Sequence, residues 1–129
     1  MFNDFSTGQK GNVGLGMAIA YFSKLGYTVA LPLTDTQAYD LIVDMNGELK
    51  KVQVKFTTRT IPNGNYYVDM RLRGHVNAEG KYYQKEMDKT QIDYVYICTA
   101  AFSEYLFPAN AITSQTMALG DKWKDYKIS

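Results

Sequence analysis

The sequence predicts a mixed α/β domain in which one amino-terminal helix precedes a run of strands. Three observations carry this expectation. Val13, Met17, Ala18, Tyr21, Phe22 and Leu25 recur at helical spacing ahead of Gly26, which supplies a stop. Two strand-like segments then flank Asn46-Gly47, a strong two-residue hairpin signal because both residues tolerate positive φ. The order of elements, a helix followed by successive strands and a late helical stretch, fits a mixed α/β sandwich better than an alternating parallel barrel.

The helix is expected over Gly11 to Leu25. Gly14 and Gly16 inside it each cost roughly 1 kcal/mol relative to alanine, so either a neighbour approaches the backbone closely there or the helix begins later. Strands are expected at Tyr27 to Pro32, Tyr39 to Met45 and Leu49 to Thr58, then at Tyr66 to Leu72 after the Pro62-Asn63-Gly64 loop, and at Asp93 to Ala100. Gly74 to Gln91 is polar and receives no assignment. A short strand at Glu104 to Phe107 ends at Pro108, and a helical stretch follows near Asn110 to Met117. Trp123 is expected to anchor the tail against the body.

With 129 residues, of which 46% are hydrophobic and 21% charged, the chain is expected to form a single domain over residues 1–129. The apolar stretch from Val13 to Phe22 is broken by glycines and too short to cross a bilayer, and no basic region precedes a signal-peptide core. A cytoplasmic protein with no membrane partner is the expectation. Cys98 has no partner for a disulfide, and its neighbours Val95, Tyr96 and Ile97 mark it as a buried strand residue. A net charge of +1 argues against holding nucleic acid by bulk charge, so any such site must be a local patch. Glu48 to Arg59, with Lys50, Lys51, Lys55 and Arg59, is one candidate patch, and Arg71 with Arg73 is another.

If Asn46-Gly47 is a two-residue turn, Met45 pairs with Glu48 and Asp40 comes to lie opposite Gln53. Alternation then sends Gln53 and Lys55 to one face, and Val52, Val54 and Phe56 to the other with Tyr39 and Leu41. A carboxylate, an amide and an ammonium converge on a hairpin whose opposite face is apolar. Phosphodiester hydrolysis needs charge neutralised on the phosphate and a water made nucleophilic near neutral pH, and a metal can do both. Magnesium takes oxygen ligands and keeps several waters, so a carboxylate, an amide oxygen and a main-chain carbonyl could be the protein's share. The spacing Asp-x12-Gln-x-Lys taken alone is a weak signal and reads more readily as a polar cross-strand cluster.

Beyond spacing, the sequence resembles the PD-(D/E)XK nuclease superfamily, and most of all its small branch of Holliday-junction-resolvase-like and intron-homing endonucleases. The resemblance runs through Gly11 leading into a helix, Leu25-Gly26-Tyr27, Pro32, Tyr39-Asp40-Leu41-Ile42 and Gln53-Val54-Lys55. It continues through Ile92-Asp93-Tyr94-Val95 and Tyr105-Leu106-Phe107-Pro108. It implies a restriction-endonuclease-like fold, with a mixed central sheet flanked by helices, and a metal-dependent DNA endonuclease. Asp40, Gln53 and Lys55 then stand at the catalytic positions, with Asp40, Gln53 and the Val54 carbonyl holding Mg²⁺, or Mn²⁺ in its place. Lys51, Thr57 and Arg59 are candidate contacts to DNA, and cutting both strands with one site per chain implies a homodimer or larger assembly.

Two departures from the family pattern stand out. Gln53 replaces the usual acid, and Gln9 to Lys24 contains no acid where many relatives carry a glutamate, near Leu15 and Gly16 here. These departures favour the alternative of a catalytically inactive nuclease fold that binds DNA or inhibits another protein. His75 has no second histidine or nearby cysteine with which to hold zinc. The Gly8, Gly11, Gly14, Gly16 series lacks the Gly-Lys-Ser/Thr ending of a phosphate-binding loop. Tyr94 and Tyr96 share a strand face and are expected to pack within the protein.

Overall fold

The computed structural model describes residues 1–76 and 82–129, with the backbone alone for 73–76 and 82–84. Helix α1 (Thr7–Lys24) starts four residues ahead of the expected Gly11. Ser6 Oγ accepts from the Gln9 amide at 3.1 Å while Gln9 Oε1 accepts from the Ser6 amide at 2.8 Å, a capping box with glutamine in the acidic position. The helix closes at Leu25, and Gly26 at φ +85° turns the chain away. Its two central glycines differ. A Cβ on Gly14 would stand 3.0 Å from Phe56 Cβ and 3.3 Å from Val54 Cγ1, so the glycine lets the helix press onto the sheet; Gly16 has nothing within 4 Å.

Nine strands follow among the described residues: β1 (Thr28–Ala30), β2 (Leu41–Met45), β3 (Glu48–Thr57), β4 (Tyr66–Asp69), β5 (Leu72–Val76), β6 (Tyr82–Lys85), β7 (Tyr94–Thr99), β8 (Glu104–Pro108) and β9 (Thr116–Leu119). The β2–β3 turn has Asn46 at φ 57° and Gly47 at φ 94°, and Met45 pairs with Glu48, so the register counted from the sequence is the one formed. The central sheet has the order β1-β2-β3-β7-β8, antiparallel throughout except for the parallel β3–β7 pair. Strands β4 and β9 form a second, two-stranded sheet, and β5 and β6 a third.

Alternation along the central strands divides the interior into two cores. On one face Phe22 and Ala18 of α1 pack over Leu41, Val43, Val52, Tyr96 and Cys98. On the other, Val95, Ile97, Tyr105 and Phe107 meet Val68, Met117 and Leu119 of the small sheet. This second layer is therefore a β4–β9 ribbon closed by the 3-10 turn Asp121–Tyr126, and α1 is the one α-helix among the described residues. That helix is not long and apolar enough to cross a membrane. Trp123 lies edge-on to Phe107 with ring centroids 5.6 Å apart, the anchoring contact expected of it. Cys98 and Tyr96 are fully buried, and the Tyr96 hydroxyl donates to Glu104.

Two expectations are corrected. The helical stretch at Asn110 to Met117 is instead a 3-10 turn at Ala109–Ala111 followed by β9. Met117 and Leu119 alternate inward opposite Val68 and Tyr66, so pairing with β4 overrides the helix preference of Met, Ala and Leu. The strand from Tyr66 to Leu72 is interrupted at Met70-Arg71, where Asp69 Oδ1 accepts from the Arg71 amide at 2.9 Å and divides it into β4 and β5. The side chains of Arg73 and His75 lie outside the described residues.

Candidate active site

Asp40 sits one residue before β2, where its amide donates to the Val52 carbonyl at 2.9 Å. Its Oδ2 accepts from the Val54 amide at 2.8 Å, which fixes the carboxylate against the middle of β3. From β3, Gln53 Nε2 donates to the Val54 carbonyl at 3.2 Å, so the amide, that carbonyl and the Asp40 carboxylate are neighbours. Lys55 emerges on the same face as Gln53, and its Nζ donates to the Arg71 carbonyl at 2.6 Å in the link between β4 and β5. Asp40, Gln53, Val54 and Lys55 all line an open cleft of about 750 Å³, which Leu15 of α1, Pro32, Tyr39, Asp69 and Arg71 also border.

Burial dominates the electrostatics of the pair at its centre. Desolvation raises the Asp40 pKa above the ordinary carboxylate value, against the opposing pull of the Val54 amide and the Lys55 charge. Desolvation lowers the Lys55 pKa, opposed by the charges of Asp69 and then Asp40. Asp69 is held below the usual range, first by its hydrogen bond from the Arg71 side chain. A carboxylate and an ammonium have thus both been moved toward neutrality, and this is common where groups exchange protons or bind ions.

The remaining predicted residues are distributed unevenly. Lys51 lies outside the cleft lining, with Nζ 5.6 Å from the centroid of the Tyr39 ring. Thr57 is buried, and its hydroxyl donates to the Tyr67 carbonyl at 2.6 Å while accepting from the Arg59 amide at 3.2 Å. Arg59 is exposed just past the end of β3. Tyr39 differs from its expected place opposite the site: regular pairing starts only at Leu41, so strand alternation does not reach Tyr39 and it borders the cleft.

Comparison with known proteins decides the family. The sequence profile of a family described as PD-(D/E)XK endonuclease matches residues 5–125, nearly the whole chain. The chain belongs to the PD-(D/E)XK endonucleases. Among solved structures it is similar to a bacterial homing endonuclease, I-Ssp6803I, at 28% sequence identity and a TM-score of 0.81, with 95% of this chain and 88% of that one covered. The fold is accordingly restriction-endonuclease-like. Among curated proteins it is similar to Protein 5.3 of Escherichia phage T7, 39% identical over 66 residues, which is 50% of this chain. That match spans 56% of the phage protein's length.

PD-(D/E)XK endonucleases generally use divalent metals, and the donor chemistry of the cleft can be tested against that need. Among the described residues no group of three or more His, Cys, Asp or Glu side chains could hold a metal ion. What the cleft offers is one carboxylate, the Val54 carbonyl and the Gln53 amide, whose half-turn would exchange Nε2 for Oε1 beside that carbonyl. All three are hard oxygen donors. They fit a magnesium ion that retains several waters, and exclude a metal that needs nitrogen or sulfur ligands.

Sequence reasoning missed Asp69 and named Arg71 only as half of a separate basic patch with Arg73, not as a member of this cleft. Neither belongs to the hairpin from which the site was inferred, and Lys55 meets Arg71 through the Arg71 main chain. The available signal was the Asp-x-Arg at the end of a predicted strand, which on its own reads as a turn.

Proposed function

We propose that this PD-(D/E)XK endonuclease cleaves DNA with a divalent metal held by Asp40, the Val54 carbonyl and Gln53, with Mg²⁺ as the ion and Mn²⁺ able to replace it. The observation that carries this reading is the convergence of Asp40, Gln53 and Lys55 in one cleft, with the Val54 peptide joining the first two. The ion, when bound, supplies charge neutralisation at the phosphate and an activated water. The Val54 amide holds Asp40 in position, and the Arg71 carbonyl holds the Lys55 ammonium in the cleft. Lys55 orients the attacking water or neutralises charge developing on the phosphate.

Lys51 and Arg59 extend the cationic side of the hairpin and are the contacts expected to follow the DNA backbone. Thr57 drops out of that set because its hydroxyl is already committed within the protein. The similarity to a homing endonuclease supports DNA as the substrate. With one such site in a chain, cutting both strands calls for a second copy, which supports a symmetric dimer or larger assembly.

The test is cleavage of duplex, branched and single-stranded DNA with Mg²⁺ or Mn²⁺. Wild type should cut at least one of these, and Asp40→Ala and Lys55→Ala should each lose on the order of a hundredfold or more in rate. Absence of cutting on all substrates, or equal cutting by the variants, would overturn the assignment. A second reading, an inactive fold that binds DNA or inhibits another protein, is favoured by the neutral Gln53 and by the absence of acid in α1. Calorimetric titration that shows no Mg²⁺ or Mn²⁺ binding while DNA affinity is retained would select it.

A further inference from the structure

Resting on the nuclease reading above, we infer that Arg71, locked in plane by Asp69, is the residue that grips the phosphate of the strand being cut, and that Asp69 is its positioning residue. The two side chains form a fork. Arg71 Nε donates to Asp69 Oδ1 at 3.1 Å and Nη2 to Oδ2 at 2.9 Å, while the Arg71 amide also donates to Oδ1 at 2.9 Å. An exposed ion pair alone contributes little and would ordinarily be read as part of the turn between β4 and β5.

Three features set this pair apart. First, both residues line the cleft that holds Asp40, Gln53 and Lys55. Second, the Arg71 carbonyl receives the Lys55 ammonium at 2.6 Å, so the guanidinium is tied through its own backbone to the group assigned to the chemistry. Third, the cations among the described residues lining the cleft are Lys55 and Arg71, set against Asp35, Asp40 and Asp69. A polyanion entering this cleft needs a cation that is not already engaged at the reacting atoms, and Arg71 alone meets that description. With Nε and Nη2 directed to Asp69, the Nη1 edge makes no hydrogen bond to another described residue. A guanidinium can take a carboxylate on one edge and a phosphate on another, which an ammonium cannot reproduce. The side chain is about one-third exposed, at 34%, open to a ligand yet held in one orientation.

The experiment compares wild type with Arg71→Gln, Arg71→Lys and Asp69→Asn, reading the salt dependence of duplex DNA affinity with Ca²⁺ in place of Mg²⁺, and the single-turnover cleavage rate with Mg²⁺. Arg71→Gln should reduce the salt slope by about one and weaken binding roughly tenfold or more. Arg71→Lys should restore the slope without restoring the rate, because charge returns and the fork does not. Asp69→Asn keeps an oxygen for the Arg71 amide, and so keeps the turn; it should retain the slope and lose rate. If Arg71→Gln melts below the assay temperature, Arg71→Lys and Asp69→Asn decide the matter by their rates. Wild-type slope and rate in Arg71→Gln, or wild-type rates in both other variants, would overturn the inference while leaving the nuclease reading intact. A wild type that neither binds nor cuts DNA overturns both.

Discussion

The two faces of β3 obey opposite rules. On the α1 side Val52 is fully buried, and Val54 and Phe56 lie so close beneath Gly14 that no other side chain fits at that position without displacing something. On the cleft side the same strand presents Gln53 and Lys55, although the neighbouring β7 places buried Val95 and Ile97 at the paired positions of that face. One face is packed for stability. The other carries partly desolvated charge, the arrangement that the proposed chemistry would use.

The largest expected effect lies on the packed face. Phe22→Ala removes a fully buried ring between α1 and the sheet and should cost about 4 kcal/mol, measured by denaturant unfolding. Gly14→Val, which forces the helix off Val54 and Phe56, should cost about 2 kcal/mol. The neighbouring Gly16→Ala provides the control: with open space around it, the substitution should stabilise by up to about 1 kcal/mol. Equal effects at the two glycines would break the account of helix–sheet contact.

On the cleft face the sign reverses. Asp40 has a raised pKa in the folded protein, so its negative charge is a net cost to folding at neutral pH. Asp40→Asn should therefore raise Tm at pH 7 while removing cleavage. As pH falls through the raised Asp40 value toward the ordinary 3.8, the wild-type carboxyl takes up its proton and the Tm gap should close. A gap that widens on acidification would contradict the sign of the shift. The smallest effect concerns Cys98, whose thiol is buried, with its pKa pushed up to about 11 by desolvation. It should resist a thiol reagent at pH 8 in the native protein and react in denaturant.

The hairpin was legible because its information is local. Asn46-Gly47 specifies a two-residue turn, the turn sets the register, and the register brings Asp40 to Val54 and Gln53. The early start of α1 was missed because Ser6 and Gln9, which cap it, precede the apolar run that marks the helix. β9 was misread because Thr116 to Leu119 takes its conformation from β4, some 47 residues away (116 − 69), rather than from its own propensity. Asp69 escaped, and Arg71 was read as a patch of its own with Arg73, for the same reason: the link between β4 and β5 meets Lys55 only through the folded chain. Local turns and periodicity can be read along a sequence, whereas a cleft assembled by a third element cannot.

The polar face of β3 is proposed to hold a metal for phosphodiester hydrolysis. A wild-type crystal soaked in Mn²⁺ and measured for anomalous scattering tests it most directly. One peak is expected, bound by the Asp40 carboxylate, the Val54 carbonyl and the Gln53 amide oxygen, and lost in Asp40→Ala. A cleft without manganese under conditions that support cleavage, or an ion bound elsewhere and unaffected by that substitution, would contradict it.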